Sequence, residues 1–202
     1  NSGNSVAYGG GRWVAVGNRQ SGNSMLTSLD GINWSPVSGT QFSSYGLDIA
    51  YGGGRWVAVG SDVISTNNVL TSTNGINWSS AGNTNFSIAI SVAYGGGKWV
   101  VVGTGIQSIM SSNNGTTWSS TTGFINGEGT CVSYGGGLWL AGGYGDNGNI
   151  LQSENGIDWT TSYNIGTNSN IFDLLYNPTT NLWVACGYNE YSPTTQFYGV
   201  FQ

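Results

Sequence analysis

One short phrase recurs five times along this chain and constrains its fold more than any other feature. The first copy runs from Ser5 to Gly17 and contains Tyr-Gly-Gly-Gly followed by Arg12 and Trp13. The fifth copy, from Tyr176 to Trp183, is degraded. The tryptophans of the five copies are Trp13, Trp56, Trp99, Trp139 and Trp183. Their spacing of 40 to 44 residues is the length of one small antiparallel sheet in a repeat architecture.

Each repeat divides into two predicted β-hairpins. The strands expected in the first repeat are Ser5 to Tyr8, Arg12 to Val16, Met25 to Ser28 and Ile32 to Val37. Short alternating runs of Val, Ile, Thr, Trp and Tyr, broken by glycine-rich turns, are typical of such strands. The first hairpin reverses at Gly9-Gly10-Gly11, where positive φ is needed, and Asp30-Gly31 predicts a type I′ turn in the second.

Four strands in about 42 residues make one blade of a β-propeller. The sequence therefore predicts an all-β, single-domain, five-bladed β-propeller of four-stranded antiparallel blades. The repeats span about 1–39, 40–82, 83–122, 123–165 and 166–202. Small residues are expected where the blades converge, and the paired tryptophans of each repeat are expected to fill the wider gaps farther out.

The fifth repeat is one strand short of the others. Phe197 to Gln202 aligns with a third strand, so we expect it to pair with Leu182 to Cys186 as the outermost strand of an incomplete, three-stranded last blade. An apolar sheet edge left open in this way invites self-association. Three explanations stay open: the last blade has three strands, a neighbouring molecule supplies the fourth, or the chain is part of a longer polypeptide.

A second motif, Ser-x-Asp/Asn-Gly-x-x-Trp, occurs in four of the repeats. Its copies are Ser28 to Trp34, Ser72 to Trp78, Ser112 to Trp118 and Ser153 to Trp159. The motif resembles the Asp-box (BNR) hairpin of sialidases and related propellers, with one residue fewer than the usual spacing. The resemblance implies a structural turn without catalysis, in which an Asx side chain caps backbone amides. The turn residues implied in this way are Asp30, Asn74, Asn114 and Asn155.

Charged residues are few, with 4 Lys and Arg against 9 Asp and Glu, and the net charge is −5. We expect no nucleic-acid partner, because phosphate binding requires clustered cations and those of this sequence are dispersed. No apolar run approaches the roughly 18 residues of a membrane span, so no membrane insertion is expected. Histidine is absent, which removes the usual catalytic triads and the commonest zinc ligand.

The sequence contains no catalytic constellation, and we expect no enzyme, no catalytic residue, no metal and no cofactor. Sialidases hold a carboxylate sugar with three arginines. This chain also has three, Arg12, Arg19 and Arg55, but Arg12 and Arg55 directly follow the glycine-rich turns, at the end of the blade opposite to where such active sites lie. The less favoured alternative is a glycoside hydrolase of sialidase-like fold, in which Asp48 and Asp173 would form the facing pair of carboxylates. No motif supports that pair.

The loops of the predicted propeller fall into two sets. The invariant turns emerge on one face, whereas the loops between second and third strands and between blades emerge on the opposite face and vary. Variation on a fixed scaffold is how repeat folds present binding sites. This variable face is rich in amides, hydroxyls and aromatic rings, which suit neutral sugars. The candidate ligand-binding residues on it are Tyr45, Phe86, Gln107, Phe124, Tyr144, Asn147, Tyr163 and Tyr188.

These features predict a non-catalytic recognition module, similar to lectin-like propellers, that binds a glycan or a protein surface. The alternative from another class is a structural or assembly protein of a surface appendage or virion, which the low charge and the unfinished edge favour. Low charge and candidate glycosylation sequons at Asn77, Asn85 and Asn114 predict an extracellular or surface-exposed location.

Overall fold

Twenty β-strands make up the regular secondary structure of the residues that the structure describes. The structure is a computed structural model that describes residues 2–18, 22–62, 68–82, 84–123, 125, 127–145, 149–164, 169–189 and 192–201. Within those ranges, no helix is long and apolar enough to cross a membrane. The strands form five successive units, numbered 1 to 5, one for each sequence repeat.

The strands follow the repeats closely. Those of unit 1 are β1 (Gly3–Gly9), β2 (Arg12–Gly17), β3 (Met25–Ser28) and β4 (Ser35–Pro36). The short β5 (Ser38–Gly39) leads into unit 2, which contains β6 (Tyr45–Gly52), β7 (Arg55–Ser61), β8 (Val69–Ser72) and β9 (Asn77–Ser80). Unit 3 contains β10 (Phe86–Gly95), β11 (Lys98–Gly105), β12 (Ile109–Ser112) and β13 (Ser119–Ser120). Unit 4 contains β14 (Gly127–Gly135), β15 (Leu138–Gly145), β16 (Asn149–Ser153) and β17 (Thr160–Asn164), and unit 5 contains β18 (Ser169–Asn177), β19 (Leu182–Asn189) and β20 (Ser192–Phe201).

Within each unit, every strand pairs antiparallel with the next one along the chain. Among the described residues, two strand pairings join neighbouring units: β5 pairs parallel with β9, and β15 pairs with β18 as well as with β14 and β16. Isolated bridges also join Asn18 to Tyr45 and Thr122 to Asp158. Unit 5 has the three strands predicted for it, since β20 pairs with β19 through Phe197 opposite Cys186 and Phe201 opposite Trp183. The last residue of the predicted strand, Gln202, lies outside the described residues.

The two hairpin turns of a unit have different backbones. In the first turn of unit 1, Gly10 and Gly11 both have positive φ, 54° and 75°, as predicted. In the second turn only Gly31 has positive φ, so the predicted type I′ turn at Asp30-Gly31 is wrong, because that turn needs positive φ at both residues. The turn also occupies more of the sequence than predicted, and the fourth strand shrinks from Ile32–Val37 to Ser35–Pro36.

Successive units contact each other through a tyrosine and a glycine. The Tyr51 ring of unit 2 lies directly over Gly9 of unit 1, where a Cβ atom would come within 2.1 Å of the ring. The same contact joins the remaining neighbours, through the pairs Gly52–Tyr94, Gly95–Tyr134 and Gly135–Tyr176. We call the side of a unit that contacts the preceding unit its upstream face, and the opposite side its downstream face. The upstream face carries the tyrosine and the downstream face carries the glycine.

The core lies between the units. Four hydrophobic clusters fill the spaces between units 1 and 2, 2 and 3, 3 and 4, and 4 and 5. The predicted packing role of the tryptophans is confirmed for Trp56, Trp99 and Trp139, which are 1% exposed, and for Trp183, which is 3% exposed. Trp13 is the exception at 37% exposed, because it belongs to the upstream face of unit 1.

The first strands of successive units lie side by side, in the order β1, β6, β10, β14 and β18. A carboxylate ties three of them together. Asp48 accepts hydrogen bonds from the Ser5 hydroxyl of unit 1 at 2.8 Å, and from the Ser91 hydroxyl and Val92 amide of unit 3 at 3.1 and 3.0 Å. In the described part of the chain, no comparable packing joins β18 of unit 5 to β1 of unit 1.

Candidate functional site

Units 4 and 5 join at the end of the strands that carries the variable loops. Tyr144 at the end of β15 lies opposite Asn170 at the start of β18, and Asn170 in turn lies opposite Tyr188 of β19. On the other side of β15, Tyr144 lies opposite Glu128 of β14. Because directly opposed residues of antiparallel strands project to the same face, these four side chains form one row across four strands. We call Glu128, Tyr144, Asn170 and Tyr188 the seam row.

Local sequence explains why units 4 and 5 approach so closely here. A Cβ atom at Gly142 would lie 2.6 Å from Ile171 of unit 5, so only glycine leaves room for that contact. Units 1 to 3 carry a valine at the equivalent position, Val16, Val59 and Val102. The Thr130 hydroxyl of unit 4 also donates a hydrogen bond to the Ile171 carbonyl. These contacts place the ends of β15 and β18 within pairing distance.

The seam row combines apolar rings with polar groups. Phe172, at a β-bulge in β18, is 53% exposed, and its ring centroid lies 5.4 Å from that of Tyr188. The side-chain oxygen of Asn170 is buried and accepts no hydrogen bond among the described residues. A buried acceptor without a donor is unfavourable by about 1–3 kcal/mol, which a bound donor group would relieve. The row therefore offers aromatic surface beside an unused acceptor.

Of the predicted ligand-binding residues, the structure brings together Tyr144 and Tyr188. Tyr45 lies opposite Ser61 at the corresponding junction of units 1 and 2, where it also bridges to Asn18. Tyr163 is 49% exposed but belongs to the outer strand β17, opposite Ile150. Gln107, another of the candidates, lies between β11 and β12 and is half-buried.

Phe86 does not reach the variable face, which corrects its placement among the candidate ligand-binding residues. It is 5% exposed and packs in the core between units 2 and 3, where its position at the start of β10 turns the ring inward. Two further candidates, Phe124 and Asn147, lie outside the described residues.

Sequence reasoning missed Asn170 and Phe172 as members of this site. Neither residue lies in a loop, because β18 already begins at Ser169. The repeat alignment contains a usable signal, since Phe172 occupies the position of Leu47 in unit 2, directly before the aspartate that the two units share. The residues aligned with Phe172 in units 1 to 4 are not aromatic, so this position distinguishes unit 5 from the other units.

The Ser-x-Asp/Asn-Gly turns form a second, purely local constellation. In unit 1 the Ser28 hydroxyl accepts the Gly31 amide at 2.9 Å, while Asp30 accepts the amides of Ile32 and Asn33 at 2.8 and 2.7 Å. Asn74, Asn114 and Asn155 accept the equivalent pair of amides in units 2 to 4. The short fourth strand leaves two backbone amides of each turn without a backbone partner, and the Asp or Asn side chain accepts their hydrogen bonds instead.

The hydrogen bonds from Asn33, followed by those from Ile32 and Ser28, hold the pKa of Asp30 well below its usual range. A carboxylate whose pKa is lowered on folding contributes stability above its unfolded pKa of about 3.9, and that stability is lost as the pH falls. We therefore expect Asp30→Asn to leave stability at pH 7 nearly unchanged, since asparagine serves in the other three turns. Thermal unfolding between about pH 5 and pH 2 should then show a shallower loss of stability for the variant than for the parent chain. Parallel curves would contradict this assignment.

The titratable groups form no further constellation in the described ranges, where no three His, Cys, Asp or Glu side chains lie close enough to hold a metal ion. Asp48 is engaged by units 1 and 3, and Asp173 accepts the amide of Leu174 at 2.8 Å. Cys131 and Cys186 are free thiols, and burial raises the pKa of Cys131 to about 12. Such a thiol is unreactive at neutral pH.

No family model matches the chain, and no curated protein sequence matches it. Solved structures do resemble it. The computationally designed protein Ika8 superposes with a TM-score of 0.66 at 13% identity, over 98% of this chain and 62% of the designed one. YCF48 from Cyanidioschyzon merolae superposes with a TM-score of 0.63 at 19% identity, over 97% of this chain and 71% of YCF48.

Two complexes give similar agreement. YCF48 bound to D1 peptide superposes with a TM-score of 0.60 at 17% identity, covering 92% of this chain and 60% of that one. A chain of the nidogen/laminin complex superposes with a TM-score of 0.62 at 11% identity, over 98% of this chain and 83% of its own length. This chain thus spans less than two thirds of Ika8. Together with the antiparallel sheets, these likenesses identify the fold as β-propeller-like.

Proposed function

We propose that this chain is a non-catalytic recognition module in which each of the five units is one propeller blade and the seam row is the binding site. The observation that carries the proposal is the unused acceptor of Asn170 between two tyrosines. Such groups favour a ligand that presents a hydrogen-bond donor beside an apolar face. The proposal includes the absence of enzymatic activity, because the inner carboxylate of Asp48 is engaged in holding units together.

The ligand class that best fits the seam row is a neutral sugar. The rings of Tyr188 and Phe172 supply apolar surface for the carbon face of a pyranose. Asn170 and Glu128 supply acceptors for sugar hydroxyls, and the amide of Asn170 supplies donors. A phosphorylated or sulfated sugar is disfavoured, since the seam row contains the acidic residue Glu128 and the net charge of the chain is −5.

Glycan-array screening followed by calorimetry with the best neutral sugar tests this proposal. We expect Tyr188→Ala to weaken binding at least tenfold, which corresponds to about 1.4 kcal/mol, because it removes the ring beside Phe172 and Asn170. Tyr163→Ala is the matched control and should bind normally, since Tyr163 lies on the outer strand β17. Absence of any glycan binding by the folded chain, or equal losses in both variants, would refute sugar recognition at the seam row.

A protein or peptide partner is the second candidate, consistent with a structural or assembly role. Its support is the exposed apolar surface of the terminal units, where Tyr8 is 57% exposed and Leu175 is 68% exposed. Among the structural neighbours, YCF48 is bound to D1 peptide and nidogen is in complex with laminin. Binding of the Tyr188→Ala variant to a protein partner with unchanged affinity would favour this second candidate over sugar recognition.

We further propose an extracellular or surface-exposed location. All three candidate sequons, at Asn77, Asn85 and Asn114, have exposed asparagines in the structure. Intact mass of the protein from its native source tests this placement, because glycosylation at any of the three residues would add mass beyond that of the sequence.

A further inference from the structure

The upstream face of unit 1 is exposed, although the same face of every other unit is covered. Trp13 is 37% exposed, whereas the equivalent tryptophans of units 2 to 5 are 1–3% exposed. Val6 and Tyr8, on the same face, are 54% and 57% exposed. The exposed face nevertheless carries the same tyrosine and tryptophan as the covered faces. The Tyr8 and Trp13 rings lie in contact, with 4.8 Å between their centroids, as the equivalent rings do in units 2 and 3.

The covered units show what normally lies against this face. One component is the glycine that receives the tyrosine ring, such as Gly52 beneath Tyr94. The other is a long cationic side chain together with a valine. Near the turn glycine Gly75 of unit 2 lie Arg12 Cδ and Val14 Cγ2 of unit 1, at 2.9 and 3.1 Å from where its Cβ would be.

That cation and valine recur at the next two junctions. Arg55 and Val57 lie against Gly115, and Lys98 and Val100 lie against Gly156. At the equivalent Gly31 of unit 1, the three nearest atoms all belong to its own Trp13. Unit 1 thus carries the tyrosine, tryptophan and turn glycine that a preceding unit covers elsewhere in the chain. In unit 1 these three residues stay uncovered.

Unit 5 does not match this surface. Asn177 and Pro178 follow Tyr176 at the place where units 1 to 4 have two glycines, so a side chain occupies the space that a docked tyrosine ring needs. The turn is further fixed by a hydrogen bond from the Tyr176 hydroxyl to Asn181 at 2.6 Å. Neither ring closure through unit 5 nor head-to-tail docking of a second copy reproduces the tyrosine–glycine contact.

We propose that the upstream face of unit 1 is a docking surface for one additional repeat unit of the type of units 1 to 4. The occupant presents Gly-Gly in its first turn and Arg or Lys followed by Trp-Val in its second strand. The Tyr8 ring lies over the first of its glycines, and the cationic stem packs on Gly31. With that unit docked, the assembly contains six repeat units.

The test adds such a unit to the whole chain. A copy of residues 40–86 is fused ahead of residue 1, which places Tyr8 at the distance from the copied Trp56 that Tyr94 has in the chain itself. We expect amide hydrogen exchange in β1 and β2 to slow at least tenfold. The matched control carries Gly52→Val in the copied unit only, which blocks the seat of the Tyr8 ring and should leave exchange as fast as in the unfused chain.

A second fusion, with a copy of residues 83–126, guards against failure of the first copied unit to fold. The proposal is supported if amide exchange slows in either fusion and if valine, at the copied glycine that receives the Tyr8 ring, abolishes this slowing. Unchanged exchange in both fusions overturns it. The proposal is also overturned if the unfused chain dimerises in sedimentation experiments and β1 and β2 become protected with increasing concentration, since a second copy would then be the occupant. Sugar binding at the seam row is unaffected by any of these outcomes.

Discussion

Replacing Gly52 by alanine should destabilise the chain by about 3 kcal/mol, as much as a serious core defect. Gly52 has an ordinary extended backbone, but its added Cβ would lie 2.1 Å from the Tyr94 ring of unit 3. The ring lies between units and cannot retreat without breaking its contact with Trp99, at 4.8 Å between centroids. Equilibrium unfolding in urea measures the loss.

Gly54→Ala is the matched control in the same turn. Gly54 has a φ of 75°, which alanine adopts at a penalty of roughly 1–2 kcal/mol, but nothing lies within 4 Å of its Cβ position. The control therefore separates backbone strain from the contact between units. A loss for Gly54→Ala that equals or exceeds that of Gly52→Ala would show that turn conformation, and not the tyrosine contact, decides stability. The double variant Gly52→Ala/Tyr94→Ala should lose less free energy of unfolding than the sum of the losses of the two single variants.

Trp99→Ala is expected to reduce the free energy of unfolding by about 3–5 kcal/mol, since it removes a large, fully buried side chain between units 2 and 3. Trp13→Ala makes the same chemical change at the equivalent position of unit 1, where the side chain is 37% exposed. It should be less than half as damaging, because a partly exposed ring loses less buried surface and leaves no closed cavity. Urea unfolding of the two variants, side by side, provides the comparison.

Equal losses at the two positions would contradict the exposed upstream face of unit 1. They would mean that Trp13 is covered in solution, either by another part of the chain or by a second copy. Sedimentation velocity of the parent chain separates those two cases, because only the second raises the molecular mass.

The interior of each unit was predictable from the sequence, and the junctions between units were not. The strands around Gly10 and Gly11 follow from turn chemistry and alternation, which act between residues close in the chain. Pairing of Phe197 with Cys186 followed from repeat spacing alone. The type of the second turn was predicted wrongly because the Asp30 side chain accepts hydrogen bonds from two backbone amides. This arrangement competes with a type I′ turn and keeps the φ of Asp30 negative.

The candidate site was predicted only in part for the same reason. Tyr144 and Tyr188 were identified by residue type, but their proximity depends on the pairing of β15 with β18. That pairing rests on Gly142 and on a bulge beside Phe172, neither of which alters the alternation of apolar residues. The inward turn of Phe86 was missed because a strand-start position can face either the core or the loops.

The bonds of Asp48 have a consequence for how this chain unfolds. Its bonds to Ser5, Ser91 and Val92 span 43, 43 and 44 residues, the distance from one unit to the next. Coupling of this kind passes only between nearest neighbours, so cooperativity propagates along the series of units as in a one-dimensional lattice. A unit with neighbours on both sides is held by two junctions and a terminal unit by one. Opening should therefore begin at the ends and advance inward, with unit 3 retaining its structure longest.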